Sequence, residues 1–256
     1  MTGATLRARI GAWLDRLWYG RPQTPRPPSY TGPPLWLGRL TPTTLLGTHQ
    51  HQYDGRQTTP NDCAVACTAM LIHQALTLAG HRQVHVPYPA LARAMDRAPL
   101  YGLGFYRVPF VGALPPGRAA AALRCLARAF VRHGQPRPWR VHLQGRCQAD
   151  CLVRNLRQGY PTMIYGVWPN GMPHTVVVVG YDPATDHWHL LDPGHPAPYT
   201  GRPAFRVWST DALYAWWGRR YFAYQRYTAL WLSDIPQALG TRQAETLPTV
   251  ALLPSA

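Results

Sequence analysis

The spacing of apolar residues changes along the chain, from helical periodicity in its first part to strand-like runs later. Helical spacing is found in four early segments: 62–79, 89–98, 117–133 and 148–158. Strand-like runs follow at 162–167, 175–180, 187–191 and 227–232, with a short aromatic helix at 210–217. Turn signals such as Asn170-Gly171 and Asp182-Pro183 separate these runs. Helices followed by an antiparallel sheet predict an α+β domain.

The N-terminal segment has a pattern of its own. Residues 4–19 place a set of large apolar side chains on one helical face: Leu6, Ile10, Trp13, Leu14, Leu17 and Trp18. We expect this helix to dock on the main domain, and the alternative is an interfacial helix making peripheral membrane contact through residues 4–19. A proline-rich stretch at 22–34 should be extended. The predicted divisions are 1–50, a main domain at 51–235, and a tail at 236–256.

Charge and composition narrow the class of protein. The formal net charge is +15, and all 26 basic residues are arginine. Because the arginines are scattered and form no patch, we do not expect a nucleic-acid partner. The five cysteines do not make a disulfide framework. With no signal peptide and no run of about eighteen apolar residues, the expected location is cytoplasmic.

Cys63 is the first candidate for chemistry, because the sequence predicts a helix beginning there after the capping residues Asn61 and Asp62. The positive end of a helix dipole favours a thiolate, which is the nucleophilic form of cysteine. Gln57 lies six residues upstream, and its side-chain amide could donate to the carbonyl oxygen of a substrate under attack. Together with the backbone N–H of Cys63 it would form a two-donor oxyanion hole.

His174 and Asp192 supply the other half of a catalytic set. His174 precedes the valine strand, and Asp192 follows the next strand. Adjacent antiparallel strands joined by a turn bring these two ends side by side. An imidazole there can serve as general base to the thiol, and the carboxylate can fix its tautomer. The predicted catalytic residues are therefore Cys63, His174, Asp192 and Gln57.

Three runs of sequence carry a resemblance to a known family. They are Gln57-Thr-Thr-Pro-Asn-Asp-Cys63-Ala-Val-Ala-Cys, His174-Thr-Val-Val-Val-Val-Gly-Tyr-Asp and Leu191-Asp192-Pro-Gly. Their order and spacing are similar to those of the bacteriocin-processing peptidases that cut after double-glycine leaders (peptidase family C thirty-nine), in a stand-alone form. The resemblance implies a papain-like fold, a cysteine peptidase acting on a peptide or protein through an acyl-enzyme, and no cofactor. Ala64 departs from it, since glycine usually follows the nucleophile.

Other functions fit the same sequence. The same triad could transfer the acyl group to an amine or thiol, which makes an acyltransferase the alternative within enzymes. A cell-wall-type cysteine peptidase has no use for Gln57. The alternative from another class is a non-catalytic, peptidase-like binding module that holds an anionic partner. Zinc is not expected, because Cys147 and Cys151 have only His142 as an obvious further ligand.

Overall fold

The computed structural model describes most of the chain. The described residues are 3–50, 63–81, 91–92, 94–95, 116–132, 134, 136–195, 204–221 and 225–235, with the side chains of residues 3–8 left aside. Of the short helix predicted over 89–98, only residues 91–92 and 94–95 are described, and these are helical. The predicted tail lies outside the described residues, and so does the irregular loop expected over the glycine-rich stretch 101–116, apart from Pro116.

Seven strands of the described chain form one antiparallel sheet. They are β1 Leu35–Trp36, β2 Arg140–Gln144, β3 Thr162–Val167, β4 Pro173–Asp182, β5 His187–Leu191, β6 Arg206–Ser209 and β7 Thr228–Ser233. Their spatial order is β2-β7-β3-β4-β5-β6, with β1 paired to the far end of β4. Every pairing is antiparallel, which confirms the predicted α+β class.

Six α-helices have both limits within the described part of the chain, besides the helical residues 91–92 and 94–95 and a short 3-10 helix at Leu37–Arg39. They are α1 Gly3–Tyr19, α2 Pro42–Gly47, α3 Cys63–Leu78, α4 Pro116–Arg132, α5 Ala149–Gln158 and α6 Thr210–Trp217. α3 is apolar on nearly all sides, which is typical of a helix buried within a domain, and almost all of it is buried. α5 ends at Gly159, whose φ of 69° is the left-handed conformation that glycine adopts at helix ends.

The valines of β4 explain the centre of the fold. β-branched side chains favour strands, and those of Val176 to Val179 are fully buried. On either side of β4 lie β3 and β5, and α3 packs against its face through Cys67, whose thiol donates to the Thr175 carbonyl oxygen at 3.2 Å. This arrangement places the first residue of α3 beside the first residues of β4.

α1 contacts the main domain, as predicted, but its apolar stripe takes no part in the contact. Ile10, Trp13, Leu14, Leu17 and Trp18 are all 49% exposed or more. The helix instead contacts the domain through its opposite side and its C-terminal end. The domain surface beneath the helix presents arginine side chains. These pair with the carboxylate of Asp15 and with the backbone carbonyl oxygens of Leu17 and Gly20, so this surface offers no apolar partner to the stripe. Within the described residues, no helix is both long and apolar enough to cross a bilayer.

Candidate active site

Cys63 opens α3, and its side chain is almost completely buried. The thiol lies 4.0 Å from the hydroxyl oxygen of Thr175, the third residue of β4. One helical turn later, Cys67 is fully buried in the core. The predicted caps Asn61 and Asp62, together with Gln57, lie outside the described residues.

His174 and Asp192 are in direct contact. The imidazole Nε2 of His174 lies 2.7 Å from Oδ1 of Asp192. The contact follows from the register, because Val177 of β4 is paired with Leu191, the last residue of β5. His174 is 8% exposed and Asp192 is 1% exposed, so the contact between them is largely shielded from bulk solvent.

The surroundings of His174 favour its protonated form. Burial alone would lower the pKa of His174, but hydrogen bonds to Asp192 and Cys63, and their charges, raise the pKa to about 10. Since Nε2 faces Asp192, the other ring nitrogen, Nδ1, is the one available to the thiol of Cys63. The arrangement can therefore hold an imidazolium at His174 beside the Cys63 side chain at neutral pH.

The carboxylate of Asp192 has partners on both oxygens. Oδ1 also accepts a hydrogen bond from the backbone N–H of Gly194 at 2.8 Å. Oδ2 lies 2.5 Å from Nε of Arg206 and forms an ion pair with it. The N–H of Arg206 does not point at Oδ2, so this ion pair is not also a hydrogen bond. Burial alone would raise the pKa of Asp192, but the hydrogen bond and charge of His174, the charge of Arg206 and the Gly194 amide lower it. Asp192 therefore stays ionised while it is buried.

Tryptophan rings cover the same pair. The ring of Trp168, on the turn between β3 and β4, lies 5.5 Å from the imidazole of His174. The guanidinium of Arg206 lies over Trp168 at 5.3 Å and over Trp208 at 5.7 Å. Trp216 packs 5.2 Å from Trp208 and completes the cluster. These rings shield the imidazole and the carboxylate from solvent and fix the direction of Arg206.

The sequence did not single out several of these residues. Arg206 was one of many scattered arginines, and nothing in its spacing linked it to Asp192. His49 was missed too, and its Nε2 lies 3.0 Å from the carbonyl oxygen of Asp192. Trp168 could have been noticed, because it begins the Asn170-Gly171 turn directly before His174. The Asn170 side chain caps that turn by accepting from the Met172 N–H at 3.1 Å.

The remaining cysteine pair lies at the start of α5. A hydrogen bond with the Cys147 thiol lowers the pKa of Cys151 to about 7, with the charge of Arg154 adding to this effect and burial opposing it. No group of three or more metal-ligating side chains is found among the residues that the structure describes. A cavity of about 430 Å³ beside α5 is lined by residues of the proline-rich segment and α5, and none of Cys63, His174 and Asp192 lines it.

Comparisons with known proteins do not assign the chain to a family. No protein-family model matches the sequence, and no curated protein matches it. Among solved structures, the chain is similar to the peptidase domain of Streptococcus mutans ComA, with a TM-score of 0.37 and 12% identity. That similarity covers 70% of this chain and 96% of the ComA domain. Function is therefore inferred from the site itself.

Proposed function

We propose that the chain is a cysteine peptidase, or a related amide hydrolase, in which Cys63 is the nucleophile, His174 the acid and base, and Asp192 the orienting carboxylate. One observation supports this most strongly. The buried His174–Asp192 pair, at 2.7 Å, adjoins a thiol at the beginning of a helix. A thiol, an imidazole and a carboxylate in this order are the parts that nucleophilic catalysis requires.

The first half of the reaction breaks the amide bond. The sulfur of Cys63 attacks the carbonyl carbon, and the carbonyl oxygen becomes an oxyanion. The backbone N–H of Cys63 and the side-chain amide of Gln57 are proposed to donate to that oxygen. The carbon–nitrogen bond then breaks as the imidazolium of His174 gives its proton to the departing amine. The product of this half is a thioester on Cys63.

The second half releases the acyl group. Neutral His174 accepts a proton from water as the water oxygen attacks the thioester carbonyl carbon. The carbon–sulfur bond breaks, a carboxylic acid leaves, and the thiolate–imidazolium pair is restored. Asp192 keeps Nε2 of His174 protonated throughout, so that Nδ1 faces the reacting atoms. Arg206 and Gly194 hold the carboxylate in place for this task.

The proposed substrate is a peptide or protein, and the proposed catalytic domain is 51–235, between the N-terminal segment and the tail. Ala64 adds a methyl group beside the nucleophile, but its side chain is buried within α3 and does not enter the proposed mechanism. If an amine or thiol replaced water in the second half, the same triad would act as an acyltransferase. The products distinguish the two reactions.

A peptide-library digest tests the proposal. We expect the full-length chain to cleave a subset of peptides, and the Cys63→Ala variant to cleave none. Addition of a free amine separates hydrolysis, which gives carboxylic acids, from acyl transfer, which gives new amides. Cleavage that persists in Cys63→Ala would overturn the assignment, and a wild-type chain that neither cleaves nor transfers would indicate a binding module.

Gln57 can be tested with the same substrates. Loss of one oxyanion donor reduces kcat by about a hundredfold or more. We therefore expect Gln57→Ala to lower kcat by this factor while binding of substrate changes little. A Gln57→Ala variant with wild-type kcat would remove Gln57 from the mechanism and leave the triad untouched.

A further inference from the structure

The apolar stripe of α1 is the largest unpartnered apolar feature in the described part of the chain. Its members are Trp18 at 64% exposed, Trp13 at 60%, Leu17 at 59%, Leu14 at 51% and Ile10 at 49%. At 100° per residue these five positions fall within one continuous sector of the helix. Such a stripe, containing two tryptophans, is typical of a helix that lies in a membrane interface.

The helix is fixed so that this stripe faces away from the protein. On its other side, Asp15 pairs with Arg220 at 2.6 Å and with Arg226 at 3.5 Å. At the C-terminal end of the helix, Nη2 of Arg146 donates to the carbonyl oxygen of Leu17 at 2.8 Å. The Arg226 guanidinium donates to the Gly20 carbonyl oxygen at 2.6 Å. The stripe is therefore presented outward without rearrangement of the domain.

Charges beside the stripe indicate which partner fits it. Arg9 and Arg16 are exposed and lie seven positions apart, so both stand along one edge of the stripe next to Trp13. Arginine at that position can reach lipid phosphates while its stem covers apolar surface. A second copy of this chain fits poorly, because two molecules of net charge +15 would bring like charges together along this edge.

We infer that α1 is a membrane-surface anchor that binds an anionic lipid bilayer. Ile10, Leu14 and Leu17 enter the boundary between headgroups and acyl chains, and the two tryptophans lie at headgroup level. Arg9 and Arg16 contact the lipid phosphates. This inference stands apart from the proposed catalytic chemistry, because none of these residues contributes to the site of Cys63.

Vesicle co-sedimentation of the full-length chain tests the inference. The probes are vesicles with equal parts of phosphatidylglycerol and phosphatidylcholine, and vesicles of phosphatidylcholine alone. We expect binding to the mixed vesicles, weaker binding to the neutral ones, and a loss of binding to the mixed vesicles as salt is raised. Tryptophan fluorescence should shift to shorter wavelength on binding.

Two sets of variants separate the apolar and the charged contributions. Trp13→Ser with Trp18→Ser should weaken binding about a hundredfold, or about tenfold for each ring. Arg9→Gln with Arg16→Gln should weaken binding to the anionic vesicles about fivefold for each charge, and should leave binding to the neutral vesicles unchanged. Val131→Ser is the matched control, since Val131 is 49% exposed on α4 and should have no effect.

Failure has a clear form. Absence of binding by the wild-type chain, or equal binding by Trp13→Ser with Trp18→Ser, overturns the inference. Sedimentation velocity shows whether the stripe instead binds a second copy of the chain. If the wild-type chain dimerises, ignores vesicles, and becomes monomeric in the double tryptophan variant, the stripe is an interface between copies of the chain and not a lipid anchor.

Discussion

Arg206 offers the sharpest test of how the buried carboxylate is stabilised. The change is Arg206→Gln, which removes the cation beside Asp192 and keeps a polar side chain of similar length. Asp192 is 1% exposed, whereas the side chain of Arg206 is 28% exposed. The carboxylate would keep its contacts with His174 and Gly194 but lose its only described arginine partner.

The size of the effect follows from burial. Removal of one partner from a fully buried ion pair costs about 3–5 kcal/mol, and from an exposed pair about 0–1 kcal/mol. Because Arg206 is partly exposed and Asp192 keeps two hydrogen bonds, we expect about 2 kcal/mol from the ion pair. Loss of the stacking on Trp168 and Trp208 adds roughly 0.5 kcal/mol. A chain of this size should melt about 5–10 °C lower.

Urea unfolding at several pH values is the assay. Arg140→Gln is the matched control, because Arg140 pairs with Asp234 at 3.0 Å with side chains that are 65% and 54% exposed. The folded pKa of Asp192 lies below its ordinary value, so its contribution is complete above about pH 4 and is lost as pH falls through the folded value. The cost of Arg206→Gln should shrink in the same way. Equal costs for both variants at neutral pH would refute this account.

Two further changes test the neighbouring geometry. Asp192→Asn should move the alkaline limb of kcat/KM to lower pH, from about pH 10. The leaving amine needs the imidazolium of His174, and an asparagine side chain would not raise the pKa of His174 as the Asp192 carboxylate does. An unmoved limb would contradict this assignment. Gly166→Ala should lower the free energy of unfolding by about 1–3 kcal/mol, since its new methyl group would overlap the ring of Trp216. Gly47→Ala is the control, with nothing within 4 Å, and an equal loss there would refute the packing explanation.

Patterning predicted the strongly apolar elements well. β3, β5 and α6 have the predicted limits, because each is bounded by a turn or a cap and has a clear apolar pattern. β4 is longer than predicted, extending from Pro173 to Asp182, since pairing with β3 and β5 continues beyond its valines. Local sequence alone does not contain this contribution of neighbouring strands.

Elements with few apolar residues were missed. β2 reads Arg-Val-His-Leu-Gln and is held by its pairing with β7 along its whole length. β1 has only two residues, and its pairing with Gly180 and Tyr181 is a long-range contact that no local pattern predicts. The α1 stripe shows the opposite case. Its periodicity predicted the helix correctly, but the surface that the helix contacts is decided by arginines from distant parts of the chain.

The residues of the candidate site also divide into those that the sequence could bring together and those that it could not. His174 and Asp192 could be brought together from sequence, because the strand ends that carry them are adjacent in any antiparallel hairpin. Arg206 could not, since it reaches Asp192 from β6, a strand that follows residues outside the described chain and has no strong pattern. Gln57 remains a prediction from spacing alone.

Alkylation of Cys63 by iodoacetamide at about pH 6, followed by mass spectrometry, tests the central claim most directly, because ordinary thiols are almost fully protonated there. Cys125 is exposed and serves as the internal reference. The account predicts that Cys63 reacts faster than Cys125 despite its burial, and that His174→Ala slows Cys63 by about tenfold or more while Cys125 is unchanged. A Cys63 that reacts no faster than Cys125, or that is indifferent to His174→Ala, would contradict it.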